Sequence, residues 1–193
     1  IILTAIFTSI FGGVNTLWDR RYGFMNKALT SPISRSAIAI GKMSAISLIA
    51  ALQASLIIGI ALAIGVTFPN PLMIIPIMGI VILFSLGFSG ISVTLAATAK
   101  SQETFWGMIN LLGMPLFMLS PALFPLELLP SWLAVIAKLN PVTYTILLVR
   151  ELMTGVSEGG VPILLSIAVI FAFVIAMVAI ASYVFTREVN KPF

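Results

Sequence analysis

Residues 43–99 contain no charged side chain, and the one strong break in this apolar run is the turn sequence Phe68-Pro69-Asn70-Pro71. About 20 apolar residues carry an α-helix across a bilayer, so the run predicts two crossings joined by a tight hairpin. Further charge-free blocks at residues 1–18, 104–126 and 159–186 bring the expectation to five crossings. The fold class expected is an all-α integral membrane protein forming a single unit over residues 1–193. The first block begins at Ile1 with no methionine, basic leader or cleavage site. The chain is therefore read as N-terminally truncated, with at least one crossing and a cytoplasmic start missing.

Composition excludes several chemistries. With 60% hydrophobic and 8% charged residues, the sequence is built for lipid rather than water. The absence of cysteine removes disulfides and thiolate chemistry, and the absence of histidine removes the commonest metal ligand and the usual general base. A zinc protease or a Ser-His-Asp hydrolase cannot be assembled from such a chain, and neither a catalytic residue nor a metal site is expected.

The net charge of +4 reports orientation rather than affinity for nucleic acid, which is not an expected partner. Five crossings place the loops alternately on two sides. Arg20, Arg21, Lys27, Arg35, Lys42, Lys100, Arg187 and Lys191 fall on one side, and only Lys138 and Arg150 on the other. The bias predicts that the first group and the C-terminus are cytoplasmic, in a multi-pass protein of the plasma (inner) membrane. The Pro69 hairpin and residues 120–161 then face outward.

Small residues recur at helical spacing, as Ser44, Ser47, Ala51, Ser55, Gly59 and Ala63 and then as Ser85, Ser89, Ser92, Ala96 and Ala99. Such stripes let helices approach closely in lipid, and helix packing is their expected role. A polar lining for a substrate path is the minority alternative. Its candidates are Gln53 and Asn110, because strongly polar groups within crossings are rare.

The loop at residues 17–42 is too long and too patterned for a turn. Phe24 with Ala28, and Met25 with Leu29, are i, i+4 pairs, which predicts a short amphipathic helix at the membrane surface. Ser31-Pro32 suits an N-cap and first helical position for the next crossing. Asp-Arg-Arg-Tyr-Gly-Phe at 19–24, Ser-Pro-Ile-Ser-Arg at 31–35 and Ile-Gly-Lys at 40–42 resemble the cytoplasmic loop of permeases of the ABC type-2 transporter family, which includes drug and polysaccharide exporters. The resemblance implies a coupling helix that docks on an ATPase subunit. Asp19, Arg20, Arg21, Gly23, Pro32, Ser34, Arg35, Gly41 and Lys42 match by position, and Phe24 and Met25 supply the apolar stripe expected to insert there. Gly41-Lys42 does not end a phosphate-binding loop, because Ser36 stands where its first glycine is required and Met43 where Ser or Thr should be. Lys42 is read instead as a snorkelling anchor.

Beyond Leu119 the prolines at 121, 125, 130 and 141 interrupt apolar sequence. Such breaks survive at membrane depth only where protein or a watery cavity satisfies the freed backbone, which predicts an external re-entrant region over residues 120–161. Within it, Ser131–Leu139 reads as a short interfacial helix anchored by Trp132. Asn140-Pro141 then start a second helix, which carries Tyr144 and Arg150 and ends near Gly155. The sequence Leu-Asn-Pro-Val-Thr-Tyr followed by a later Arg resembles the stretch between the fifth and sixth crossings of the same permeases. Asn140, Pro141, Tyr144 and Arg150 are the expected external gate, and Glu127, Glu158 or a second subunit the expected partner of Arg150.

The resemblance implies the membrane subunit of an ATP-driven exporter of an amphipathic drug, lipid or glycan. Two permease copies would pair, and separate ATPase subunits would bind ATP and magnesium while this chain binds no cofactor. An ion-coupled secondary transporter is a weaker alternative, since no ionisable residue lies within a crossing. A structural membrane assembly subunit is another.

Overall fold

A chain committed to lipid must pair its backbone N–H and C=O groups internally, and the described residues do so as helix, with no strand among them. The computed structural model describes residues 1–25, 30–66, 69–122, 130–156 and 160–188. In chain order the helices are α1 (Ile2–Phe11), α2 (Val14–Arg21), α3 (Arg35–Ala63), α4 (Ile74–Thr98), α5 (Gln102–Met118), α6 (Ser131–Leu139), α7 (Pro141–Thr154) and α8 (Ile163–Glu188). A 3-10 turn at Pro71–Met73 leads into α4.

Three of these segments are long and apolar enough to cross a membrane: α3, α4 with its 3-10 lead-in, and α8. A fourth is present if α6 and α7, bent by 86° at their junction, count as one broken crossing. The structure thus supplies three or four clear spans, against five expected from the charge-free blocks. Block 1–18 breaks at Gly12-Gly13 between α1, of 10 residues, and α2, whose 8 residues run on to Arg21. The 17 residues of α5 reach about 25 Å at ~1.5 Å per residue, less than a hydrocarbon core of ~30 Å.

The hairpin at Pro69-Asn70-Pro71 lies between α3 and α4 as expected, and the Asn70 side chain accepts the Leu72 N–H at 3.0 Å. The start of α3 differs from expectation. Its N-cap is Ser34, whose hydroxyl accepts the Ala37 N–H at 3.3 Å, while Ser31-Pro32 lies in a preceding bend. Either serine could cap by chemistry, but only Ser34 stands three residues before an amide that needs an acceptor.

Helix α4 is the hub, with contacts to α1, α2, α3, α5, α7 and α8. Its small side chains make this possible. Ser85, Ser89, Ser92, Ala96 and Ala99 are all buried, and three inter-helix hydrogen bonds run along the contacts. Ser92 Oγ donates to Ser9 O of α1 at 2.8 Å, Ser89 Oγ to Met43 O of α3 at 3.3 Å, and Ser47 Oγ of α3 back to Ile82 O at 2.7 Å. On the side facing α8, a Cβ on Gly87 would stand 2.8 Å from Phe173, and one on Gly90 3.0 Å from Met177. The α4 stripe is therefore a packing device, and in α3 the same holds for Ser47 and Ala51, while Ser55, Gly59 and Ala63 are exposed. The outer ridge of α3, Leu48, Leu52, Leu56 and Ile60, is also exposed, as suits a helix whose solvent is acyl chain.

Candidate functional site

Two clusters of polar side chains stand out. The first surrounds the C-terminal turn of α2. Arg20 Nη1 donates to Ala96 O at 3.1 Å and Ala97 O at 2.6 Å, carbonyls in the last turn of α4, where the helix dipole is negative and intrahelical donors run out. Burial pushes the Arg20 guanidinium below its ordinary value, and the Glu188 carboxylate at the end of α8 opposes that shift. Asp19 pairs with Lys42 of α3, and Arg35 Nη1 reaches Thr186 O of α8 at 3.5 Å. The four groups tie α2 to α3 and α4, and α3 to α8. Lys42 lies two turns inside α3, and its ammonium group is the ion-pair partner of Asp19.

Of the residues expected to meet an ATPase, Asp19, Arg20 and Arg35 are thus engaged inside the chain. Met25 is buried among Ala39, Met43, Val93, Ala181 and Phe185. Arg21, Tyr22, Phe24 and Pro32 are exposed. Gly23 takes φ +77°, a conformation that favours glycine, and turns the chain from α2 into the helical backbone at Phe24 and Met25. The remainder of the expected coupling helix, residues 26–29, lies outside the described residues. At the nearby start of α5, the Ser101 hydroxyl and the Glu103 amide hold the Glu103 carboxyl below its usual range, with a smaller contribution from the Arg21 charge.

The second cluster sits at the α6–α7 elbow. Asn140 is buried and works in two directions: Oδ1 accepts the Val142 N–H at 3.0 Å to cap α7, and Nδ2 donates to Leu116 O at 2.6 Å near the end of α5. Thr143 Oγ1 donates to Ala137 O and Tyr144 OH to Lys138 O, both at 2.7 Å, filling the terminal carbonyls of α6. Arg150 Nη2 donates to Pro121 O at 3.0 Å. Glu127 and Glu158, its expected partners, are outside the described residues. Pro141 occupies the first position of α7, and Gly155 ends the helix at φ +73°, so the expected boundaries hold. All four side-chain donors serve carbonyls at helix ends or proline breaks, and Ala137 O also accepts the Asn140 N–H at 3.2 Å, which is how irregular backbone becomes tolerable in a low-dielectric setting.

The structure does not bring Gln53 and Asn110 together. Gln53 Oε1 accepts the Thr8 hydroxyl and joins α3 to α1. Asn110 lines a small apolar cavity of about 50 Å³ between α1 and α5, with Phe7, Phe11, Gly113 and Phe117 among its walls.

The profile of the ABC-2 type transporter family matches residues 1–154. The chain belongs to the ABC-2 type transporter family. Among similar proteins, the one named transport permease ycf38 of Cyanophora paradoxa is 32% identical over 152 residues, covering 76% of this chain and 52% of that protein. Its counterpart in Pyropia yezoensis is 32% identical over 159 residues, 79% of this chain and 54% of the relative. The protein named multidrug ABC transporter permease YbhR of Escherichia coli K12 is 23% identical over 144 residues, 74% and 39% of the two chains. The chain spans about half the length of the ycf38 relatives it matches. Its long apolar helices are those of a multi-pass membrane protein, and the match covers the elbow cluster and all of the α2 cluster except Thr186 and Glu188 of α8.

Sequence reasoning on this ABC-2 permease missed two contacts. Thr143 escapes notice because a threonine inside a helix ordinarily bonds its own i−4 carbonyl, as Thr145 does with Pro141 O at 3.1 Å. The sequence also gives no sign of the bonds from Arg20 to Ala96 O and Ala97 O. An arginine at the foot of a crossing gives no local sign that another helix ends beside it.

Proposed function

We propose that this chain is the membrane subunit of an ATP-driven exporter, with α1–α2 and α5 completing five crossings and with the C-terminus in the cytoplasm. Separate ATPase subunits hold ATP and magnesium, and two permease copies form the transport path for an amphipathic drug, lipid or glycan. Membership of the ABC-2 type transporter family is the observation that carries this reading.

The α2 cluster supports a route for coupling. ATP can drive transport only if the ATPase pair interacts differently with two permease conformations. A push delivered at Tyr22 and Phe24 passes through Gly23 to α2, and from Asp19 and Arg20 into α3 and the end of α4. Phe24→Asp should therefore leave the permease folded but make ATPase activity insensitive to substrate, whereas Met25→Asp should lower the amount of folded protein because Met25 is buried. Wild-type transport by Phe24→Asp would refute docking at this surface. At the other end, the α6–α7 elbow closes the exit, and Asn110, at the α1–α5 cavity, offers a polar contact to substrate.

Orientation has its own test in this cysteine-free chain. A cysteine at Asn70 should react with a membrane-impermeant thiol reagent in intact cells, and one at Gln102 should react only after permeabilisation. The reverse pattern would invert the topology.

A further inference from the structure

Beside the α2 cluster lies a cleft of about 330 Å³, lined by Leu17, Trp18 and Arg21 of α2 and by Lys100, Ser101, Gln102 and Glu103 where α4 passes into α5. Its depth follows from its neighbours. The apolar helix α4 ends at Thr98, two residues before Lys100, so the cleft sits where hydrocarbon gives way to headgroups. Leu17 is buried, while Trp18 is 44% exposed, an aromatic type that settles at headgroup level.

Arg21 and Lys100 differ from the cations around them. Arg20, Arg35 and Lys42 are engaged with groups of this chain. Among the described residues, neither Arg21 nor Lys100 has an ion pair or a hydrogen bond. The lining carboxylate, Glu103, is held below its usual range chiefly by the Ser101 hydroxyl and its own amide, with a smaller contribution from the Arg21 charge, so the two cations outnumber it in the cleft. Two positive charges without an ion pair, one carboxylate, a boundary tryptophan and an apolar residue thus share one recess at the membrane edge.

We propose that this cleft binds the phosphate headgroup of an anionic phospholipid from the adjoining leaflet, with Arg21 and Lys100 on the phosphate and Trp18 against the glycerol region. The inference rests on the membrane assignment and not on ATP coupling or export. A basic recess at the end of apolar helices gains more from a net-negative lipid than from a zwitterionic one, because the latter carries its own cation.

The test uses the full chain in nanodiscs of mixed phosphatidylglycerol and phosphatidylcholine, released into native mass spectrometry to count retained lipid. Phosphatidylglycerol should be retained preferentially. Arg21→Gln and Lys100→Gln should each weaken retention about fivefold, and together about 25-fold, from the usual contribution of one basic residue at an anionic surface. Lys138→Gln, outside the cleft, should change nothing, and the charge-keeping pair Arg21→Lys and Lys100→Arg should retain the lipid. Equal retention of both lipids by the wild type, or unchanged retention in the double glutamine variant, overturns the proposal. Displacement of the lipid by millimolar inorganic phosphate would assign the cleft to a soluble phosphate compound and overturn it equally.

Discussion

Replacing Gly13 with valine should remove most of the folded protein from the membrane. A Cβ at Gly13 would stand 2.5 Å from the Ser92 carbonyl oxygen and 2.6 Å from its carbon. These are backbone atoms of the hub helix, so no rotamer change relieves the clash. The α1–α2 junction must part from α4, taking with it the 2.8 Å bond from Ser92 Oγ to Ser9 O. Overpacking of this kind costs about 1–3 kcal/mol, and the hydrogen bond adds about 1 kcal/mol. Gly107 of α5 is the matched control, because nothing lies within 4 Å of the Cβ it would gain. Gly107→Val should be nearly neutral. Thermal unfolding of the two variants in detergent decides the matter, and equal midpoints would mean that the crossing is not close.

Asn140→Ala is expected to be the most damaging single change at the α6–α7 elbow, since it removes two hydrogen bonds to two helix ends. Loss of the N-cap on Val142 costs about 0.5–2 kcal/mol. Leaving the part-buried Leu116 O without its donor adds about 1 kcal/mol. Asn140→Asp separates the two contributions, because a carboxylate still caps α7 but has no N–H to offer Leu116 O. The expected order of stability is wild type, then Asp, then Ala, read from thermal midpoints, with transport falling in the same order if the elbow closes the exit. A variant with Asp as stable as wild type would show that the link to α5 contributes nothing.

How far the sequence could be read depends on whether a residue's partner lies nearby in the chain. The helix over 131–139, the Asn140-Pro141 start, the Gly155 stop and the Asn70 turn were all legible, because a cap and the amide it serves are two or three residues apart. Ser34 instead of Ser31 as the cap of α3 shows the limit of the same logic. Two candidate caps three residues apart are equivalent until the first turn is placed.

The coupling loop shows the opposite case. Phe24 and Met25 are neighbours in one apolar pattern, yet Phe24 is 61% exposed and Met25 is 3% exposed. Only the arrival of α3, α4 and α8 over Met25 separates them. In the same way the sequence does not show that Asp19 pairs with Lys42, or that Arg20 and Arg35 bond carbonyls at the ends of α4 and α8.

The sequence by itself determined that this is a helical membrane protein, where its apolar segments lie, and which motifs ally it with the ABC-2 permeases. Length, hydropathy and cap spacing are local quantities that survive without knowledge of the fold. Which face of each helix turns inward, and which charges are paired, was decided only by tertiary structure. In lipid every helix is apolar on all sides, so hydrophobic pattern no longer distinguishes core from surface, and close approach at Gly13, Gly87, Gly90 and Ser92 makes that choice instead.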